Sequence, residues 1–112
     1  FNVNHLAMVA AVAALKDEDF IARSREVNKA GMAQLEAGFK ALGLNYVPSR
    51  ANFILVDVQA DPSATFNGLL KQGVIVRPVG ISNHIRVSIG TEAENAKFLS
   101  ALAKVLGLEA KA

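Results

Sequence analysis

Read for the spacing of its apolar and polar positions, the chain resolves into helical and strand-like stretches with clear punctuation between them. From Leu6 to Leu15 nearly every residue is apolar or alanine, with Leu6, Met8, Val9, Val12 and Leu15 the larger ones. Asn4 stands where an N-cap belongs, so the pattern predicts a helix to about Leu15. A helix so short of polar residues is buried on most sides. It is either a core helix or one packed on another domain or subunit. Asp17-Glu18-Asp19 interrupts the run and sets acids where a helix N-terminus favours them. A second helix follows to about Leu42, with Phe20, Val27, Leu35, Phe39 and Leu42 at helical spacing and Gly43 past its end. Its charges, Arg23, Arg25, Glu26, Lys29 and Lys40, read as a solvated face.

Beyond Gly43 the period changes. Leu44 to Val47 is a short strand candidate ended by Pro48, and Ser49 to Asn52 is a polar connector. Phe53 to Val58 is β-rich and mostly apolar, the composition of a central rather than an edge strand. Asp61-Pro62 supplies an N-cap and a first-turn proline for a third helix, which carries Phe66, Leu69 and Leu70 and stops at Gly73. Val74, Ile75 and Val76 form a β-branched run between Gly73 and Pro78, read as a strand with Arg77 at its end. Ile85, Val87 and Ile89 alternate with Arg86 and Ser88, the period of a half-buried strand. Thr91-Glu92-Ala93-Glu94 is a capping box opening the last helix. Phe98, Leu99, Leu102, Val105 and Leu106 give that helix an apolar face, Gly107 closes it, and Leu108 to Ala112 reads as a frayed tail. The order is α-α-β-β-α-β-β-α, without an internal repeat. It predicts an α+β fold: a small, largely antiparallel sheet with helices packed on one face.

Composition narrows the picture. A chain of 112 residues makes one domain, and folding buries roughly 65% of the surface of such a chain. Hydrophobic content of 52% and a mean hydropathy of +0.29 lie at the apolar end for a globular domain. Some apolar surface is therefore expected to face a partner. Twelve Lys and Arg against ten Asp and Glu leave a net charge of +2, and the basic residues are scattered, which argues against nucleic-acid binding. No cysteine is present, so disulfides are excluded. The Leu6 to Leu15 run is too short for a bilayer and has no basic flank of a leader before it, so a cytoplasmic protein without membrane contact is expected. The chain opens without Met, which suggests a piece of a longer protein.

Little conventional catalytic chemistry is in view. His5 and His84 are far apart, with no Cys or carboxylate at ligand spacing, so no metal site is expected. There is no Gly-rich loop of the Walker or dinucleotide type and no Gly-x-Ser-x-Gly turn. His84 reads as a loop histidine. What remains is the pair Arg77 and Arg86. The alternation puts Arg86 on the face opposite its apolar neighbours, and an arginine on a rigid strand is a preorganised fork for carboxylate or phosphate. The same placement also suits a solvated side chain or an ion-pair partner.

The order of these residues carries a resemblance. Val-Ile-Val-Arg-Pro, a short loop, Asn-His and then Ile-Arg-Val-Ser-Ile-Gly-Thr-Glu, with Asn-Phe-Ile-Leu-Val-Asp upstream, resembles the C-terminal part of fold-type I pyridoxal-phosphate aminotransferases. The histidinol-phosphate branch is the nearest in kind. The likeness runs from Phe1-Asn-Val-Asn to the last helix. It implies that residues 1–112 are an aminotransferase small domain, that residues 1–16 are its lead-in helix at an interdomain or subunit interface, and that the cofactor-binding large domain is absent from the chain. It implies a parent enzyme that is a cytoplasmic homodimer of histidine biosynthesis. Such an enzyme exchanges an amino group between L-histidinol phosphate and 2-oxoglutarate, which becomes glutamate, through pyridoxal phosphate. Arg86 matches the family's substrate arginine, and Arg77 a second arginine that assists with the same phosphate or carboxylate. No catalytic and no cofactor-binding residue is assigned: none of Lys16, Lys29, Lys40, Lys71, Lys97, Lys104 and Lys111 lies in anything like the family's cofactor-lysine motif, and the isolated chain is expected to be inactive. The segment Pro78 to Ile85 is a few residues shorter than the Gly-containing loop usual in the family.

Two readings of other classes stand beside this one. One is a self-standing α+β module that binds a small anion through Arg77 and Arg86, or regulates, without catalysis. The other is a structural piece whose apolar first helix drives self-association.

Overall fold

The computed structural model describes residues 2–111. They form α1 (His5–Lys16), α2 (Glu18–Leu42), β1 (Tyr46–Val47), β2 (Phe53–Asp57), α3 (Pro62–Lys71), β3 (Arg77–Pro78), β4 (His84–Ser88) and α4 (Glu92–Leu106), the order the pattern predicts. Local chemistry sets the helix ends. Asn4 Oδ1 accepts from Leu6 N at 2.8 Å, Asp17 Oδ1 from Phe20 N at 3.0 Å, and Asp61 Oδ2 from Ala64 N at 2.7 Å. At α4 the box is reciprocal: Glu94 N donates to Thr91 Oγ1 at 3.3 Å, and Thr91 N donates to Glu94 Oε2 at 2.8 Å. Gly43 and Gly107 adopt left-handed φ of 72° and 65°. That turn lets Leu44 N reach Phe39 O at 2.8 Å and Leu108 N reach Ala103 O at 2.9 Å, which satisfies carbonyls of the last turn.

The strands pair in the order β1-β2-β4-β3, every pair antiparallel. β2 is central, as its apolar composition predicts. Ile54 and Val56 on β2 and Ile85 and Val87 on β4 turn to one face and are buried with Leu35, Phe39, Leu69, Phe98 and Leu102 from α2, α3 and α4. Phe39 meets Phe98 edge-on, with ring centroids 6.1 Å apart and planes at 83°. Two helix glycines permit close approach. A Cβ at Gly31 of α2 would collide with the Ile89 side chain and stand 2.9 Å from Asn95 Nδ2, and one at Gly68 of α3 would lie 2.8 Å from Val105 Cγ1. The other sheet face carries Val47, Phe53, Leu55, Arg77, Arg86 and Ser88, all exposed or half-buried. This is the expected α+β layer.

Several expectations are corrected. Val74 to Val76 is not a strand, and the paired segment is Arg77–Pro78. Val74 N is taken by the end of α3, donating to Leu69 O at 3.0 Å. A cleft of about 490 Å³ then separates residues 73–75 from residues 87–90, and Ile75 is 81% exposed. Pro78 therefore lies inside β3 rather than ending a strand before it, at a sheet edge where its missing N–H costs no ladder bond. Leu44 is engaged in the end of α2, so β1 begins only at Tyr46. The apolar spacing of α2 holds for Leu35, Phe39 and Leu42, but Phe20 and Val27 are 58% and 52% exposed, because the first half of the helix buries nothing until Gly31. α1 buries no residue at all, which overturns its reading as a core helix. The C-terminal segment is tied down rather than frayed: Leu108 packs on the core and Lys111 N donates to Ala41 O at 2.7 Å. Phe1 and Ala112, the ends of the lead-in and tail assignments, lie outside the described residues.

Candidate functional site

The site is built by β3 and β4. Ile85 and Val87 are 0% and 5% exposed, and their burial fixes β4 in register between β2 and β3. A strand alternates its side chains, so Arg86 between them must turn to the uncovered face. There its register neighbours are Leu55 on β2 and Arg77 on β3. The turn from Val79 to Asn83, with Gly80 and Asn83 at φ of 73° and 59°, closes the hairpin and brings the two arginines directly opposite each other. The short segment between Pro78 and Ile85 is thus long enough to pair them. The guanidinium carbon of Arg86 lies 5.2 Å from the centroid of the Phe53 ring, in cation–π range.

A cleft of about 590 Å³ opens beside the pair, with Phe66, Val76, Pro78 and Ser88 in its wall along with both arginines. No carboxylate and no lysine lines it. Each guanidinium offers five N–H donors and no acceptor. Two of them from opposed register positions, beside a cleft whose lining has no carboxylate, suit an anion; the nearest carboxylate on this face is Asp57 of β2, opposite His84 in the register. A carboxylate occupies one fork, and a phosphate has oxygens enough for both. Sequence reading located both arginines; their direct opposition follows only from the register.

The end of β4 is held by a residue that sequence reading missed. Asn95 of α4 is 3% exposed. Its Oδ1 accepts from Gly90 N at 2.9 Å, and its Nδ2 donates to Gly90 O at 3.2 Å and to Gln34 Oε1 at 3.1 Å. Gln34 Nε2 in turn donates to Glu92 O at 3.0 Å. The network ties α2, the start of α4 and the loop leaving β4. One signal points to it: Asn95 sits three residues before Phe98, a polar residue on the buried stripe of its helix.

His84 stands opposite Asp57 in the register, its Nδ1 2.7 Å from Ser82 O in the hairpin turn. Among the described residues no group of three or more His, Cys, Asp or Glu is placed to hold a metal ion, and no helix is long and apolar enough to cross a membrane.

Known proteins bear on this geometry. The family described as "Aminotransferase class I and II" matches residues 1–102. Over 109 residues the chain is 59% identical to histidinol-phosphate aminotransferase 2 of Pseudomonas fluorescens, covering 95% of this chain and 30% of that protein. Among solved structures, it superposes on the histidinol-phosphate aminotransferase from Clostridium acetobutylicum with a TM-score of 0.84 at 27% identity, over 95% of this chain and 34% of that one. It superposes on the histidinol-phosphate aminotransferase from Sinorhizobium meliloti in complex with pyridoxal-5'-phosphate with a TM-score of 0.78 at 28% identity, over 88% of this chain and 28% of that one. The chain spans about 30% of the length of the curated relatives it matches.

Proposed function

The chain belongs to the class I and II aminotransferase family, and from that premise we propose that it forms the small domain of a pyridoxal-phosphate-dependent enzyme exchanging an amino group between L-histidinol phosphate and 2-oxoglutarate. The observation that carries the proposal is the direct opposition of Arg77 and Arg86 on the uncovered sheet face, beside a cleft without a lining carboxylate. Both substrates present an anion close to the reacting carbon: on L-histidinol phosphate the phosphate ester of the neighbouring CH2O group, on 2-oxoglutarate the carboxylate attached to that carbon. An arginine pair on paired strands accepts either in turn, with Arg86 as the main fork and Arg77 assisting. Binding of that anion orients the substrate, and orientation is much of what positioned residues contribute to rate. The 59% identity to a histidinol-phosphate aminotransferase supports this substrate choice.

The residues present do not fit the attachment of the cofactor. No lysine lines the arginine cleft, and the Lys97 ammonium donates to Gly73 O at 3.3 Å. In this reading pyridoxal phosphate would be held in the part of the enzyme that the relatives have in addition, where it would supply the transfer of the amino group. The same reading places α1, with its wholly exposed apolar surface, against the large domain or a second subunit of a cytoplasmic homodimer.

The test is transamination of L-histidinol phosphate with 2-oxoglutarate by an enzyme of the relatives' length carrying this chain. Turnover with that donor, together with no turnover and no covalent cofactor uptake by the 112 residues alone, is the expected result. Preference for an unphosphorylated amino acid over L-histidinol phosphate would overturn the substrate assignment.

A further inference from the structure

The described partner of Arg86 is an aromatic ring rather than a carboxylate. Phe53 opens β2 opposite Ser88, so it stands diagonal to Arg86 on the same sheet face, a separation that aromatic and long side chains bridge. Its ring centroid lies 5.2 Å from the guanidinium carbon. The core does not explain the ring: Phe53 is 37% exposed, whereas Ile54 and Val56 on the same strand are fully buried. A free arginine loses much rotamer freedom when it is fixed on a ligand. A ring against the flat face of the guanidinium restricts that freedom beforehand and leaves the N–H edges open to an anion. We infer that Phe53 is a positioning residue that holds the Arg86 fork in its anion-binding orientation before the substrate arrives. This rests on the reading of Arg86 as the substrate-anion residue. It adds a determinant on a different strand, which acts through Arg86 rather than on the substrate. Preorganisation of this kind lowers the ordering cost of binding without adding a contact to the ligand.

A double-mutant cycle in the full-length enzyme carrying this chain tests it, read as kcat/KM for L-histidinol phosphate beside a thermal melt. Phe53→Leu removes the ring and keeps an apolar side chain, and is expected to lower kcat/KM by about three- to thirtyfold, the range of a cation–π contact. Phe53→Tyr keeps the ring face and should restore most of the loss. In an Arg86→Ala background Phe53→Leu should change nothing further, because the group it positions is gone. If the leucine variant does not fold, Phe53→Met supplies a second replacement without a ring. The inference is overturned by an unchanged kcat/KM in folded Phe53→Leu, by failure of Phe53→Tyr to restore it, or by an equal loss in both backgrounds. If Arg86→Ala lowers kcat/KM while Phe53→Leu does not, only the role of Phe53 fails. If Arg86→Ala itself changes nothing, the reading of the arginine fails and the inference with it.

Discussion

Arg77 and Arg86 are register partners across β3 and β4, so two cationic side chains rise from directly opposed positions on one face of the sheet. Residues paired in this way have Cα atoms roughly 4.5–5.5 Å apart, and like charges so placed repel. Burial of Ile85 and Val87 enforces the arrangement, since shifting β4 by one residue would bring those side chains out of the core and turn Arg86 into it. A pairing that works against stability and is enforced by the fold has its natural use when an anion sits between the two charges.

Neutralising one member should therefore relieve strain rather than cause it. Arg77→Gln is expected to leave stability unchanged or raise it by roughly 0.2–1 kcal/mol at low salt, the size of a cross-strand charge effect. The gain should shrink in molar salt, where screening removes the repulsion. Urea denaturation at both ionic strengths measures this. Destabilisation by more than about 1 kcal/mol, larger than surface charge pairs usually contribute, would mean that Arg77 holds a structural partner.

Asn95 is expected to matter more to the fold than either arginine. Asn95→Leu strands the N–H and carbonyl of Gly90 and the Oε1 of Gln34, groups now bonded to it. An unsatisfied polar group costs about 1–3 kcal/mol at full burial and less where it is part-buried, as these three are, so a total loss on the order of 3 kcal/mol is predicted. Equilibrium denaturation reads it directly. A loss below about 1 kcal/mol, no more than one ordinary hydrogen bond contributes, would show that water replaces the network at no cost.

The first helix should behave unlike the other three. Leu6 and Leu15 are 76% and 75% exposed, and no residue of α1 is buried. Without packing, a 12-residue helix is marginal. Amides from Leu6 to Leu15 should exchange quickly in the chain alone at low concentration, while those of α4 stay protected. If the chain self-associates through this surface, protection should rise with concentration and be lost in Val9→Glu. Strong protection in a proven monomer would place α1 against the core and contradict the structure.

What the sequence carries plainly are its local signals. Asn4, Asp61-Pro62, Thr91 with Glu94, Gly43 and Gly107 mark helix ends by chemistry contained within a few residues, and the structure uses each of them. The alternation around Arg86 predicts its face correctly for the same reason, since period-two burial is local. Non-local outcomes are less visible. Val74 to Val76 has strand composition, yet the end of α3 takes Val74 N before pairing can begin. Phe20 and Val27 share the spacing of Leu35 and Phe39 but line an open groove by Asn52 and Ile89 rather than the core, which no periodicity records. The opposition of Arg77 to Arg86 depends on how many residues the hairpin turn consumes, and the bonding of Asn95 depends on α2 and α4 meeting.

The central claim is that Arg86 forks the anionic end of the substrate, and steady-state kinetics of Arg86→Lys in the full-length enzyme test it most directly. Lysine keeps the charge and loses the bidentate geometry. A charge-assisted pair contributes roughly 1.5–3 kcal/mol, so kcat/KM should fall by about one to two orders of magnitude for L-histidinol phosphate and for 2-oxoglutarate alike. Arg86→Ala should cost more and Arg77→Lys less, with thermal melts close to that of the parent protein. Near-normal kinetics in Arg86→Lys, or a loss that merely tracks unfolding, would make Arg86 a structural residue and contradict the account.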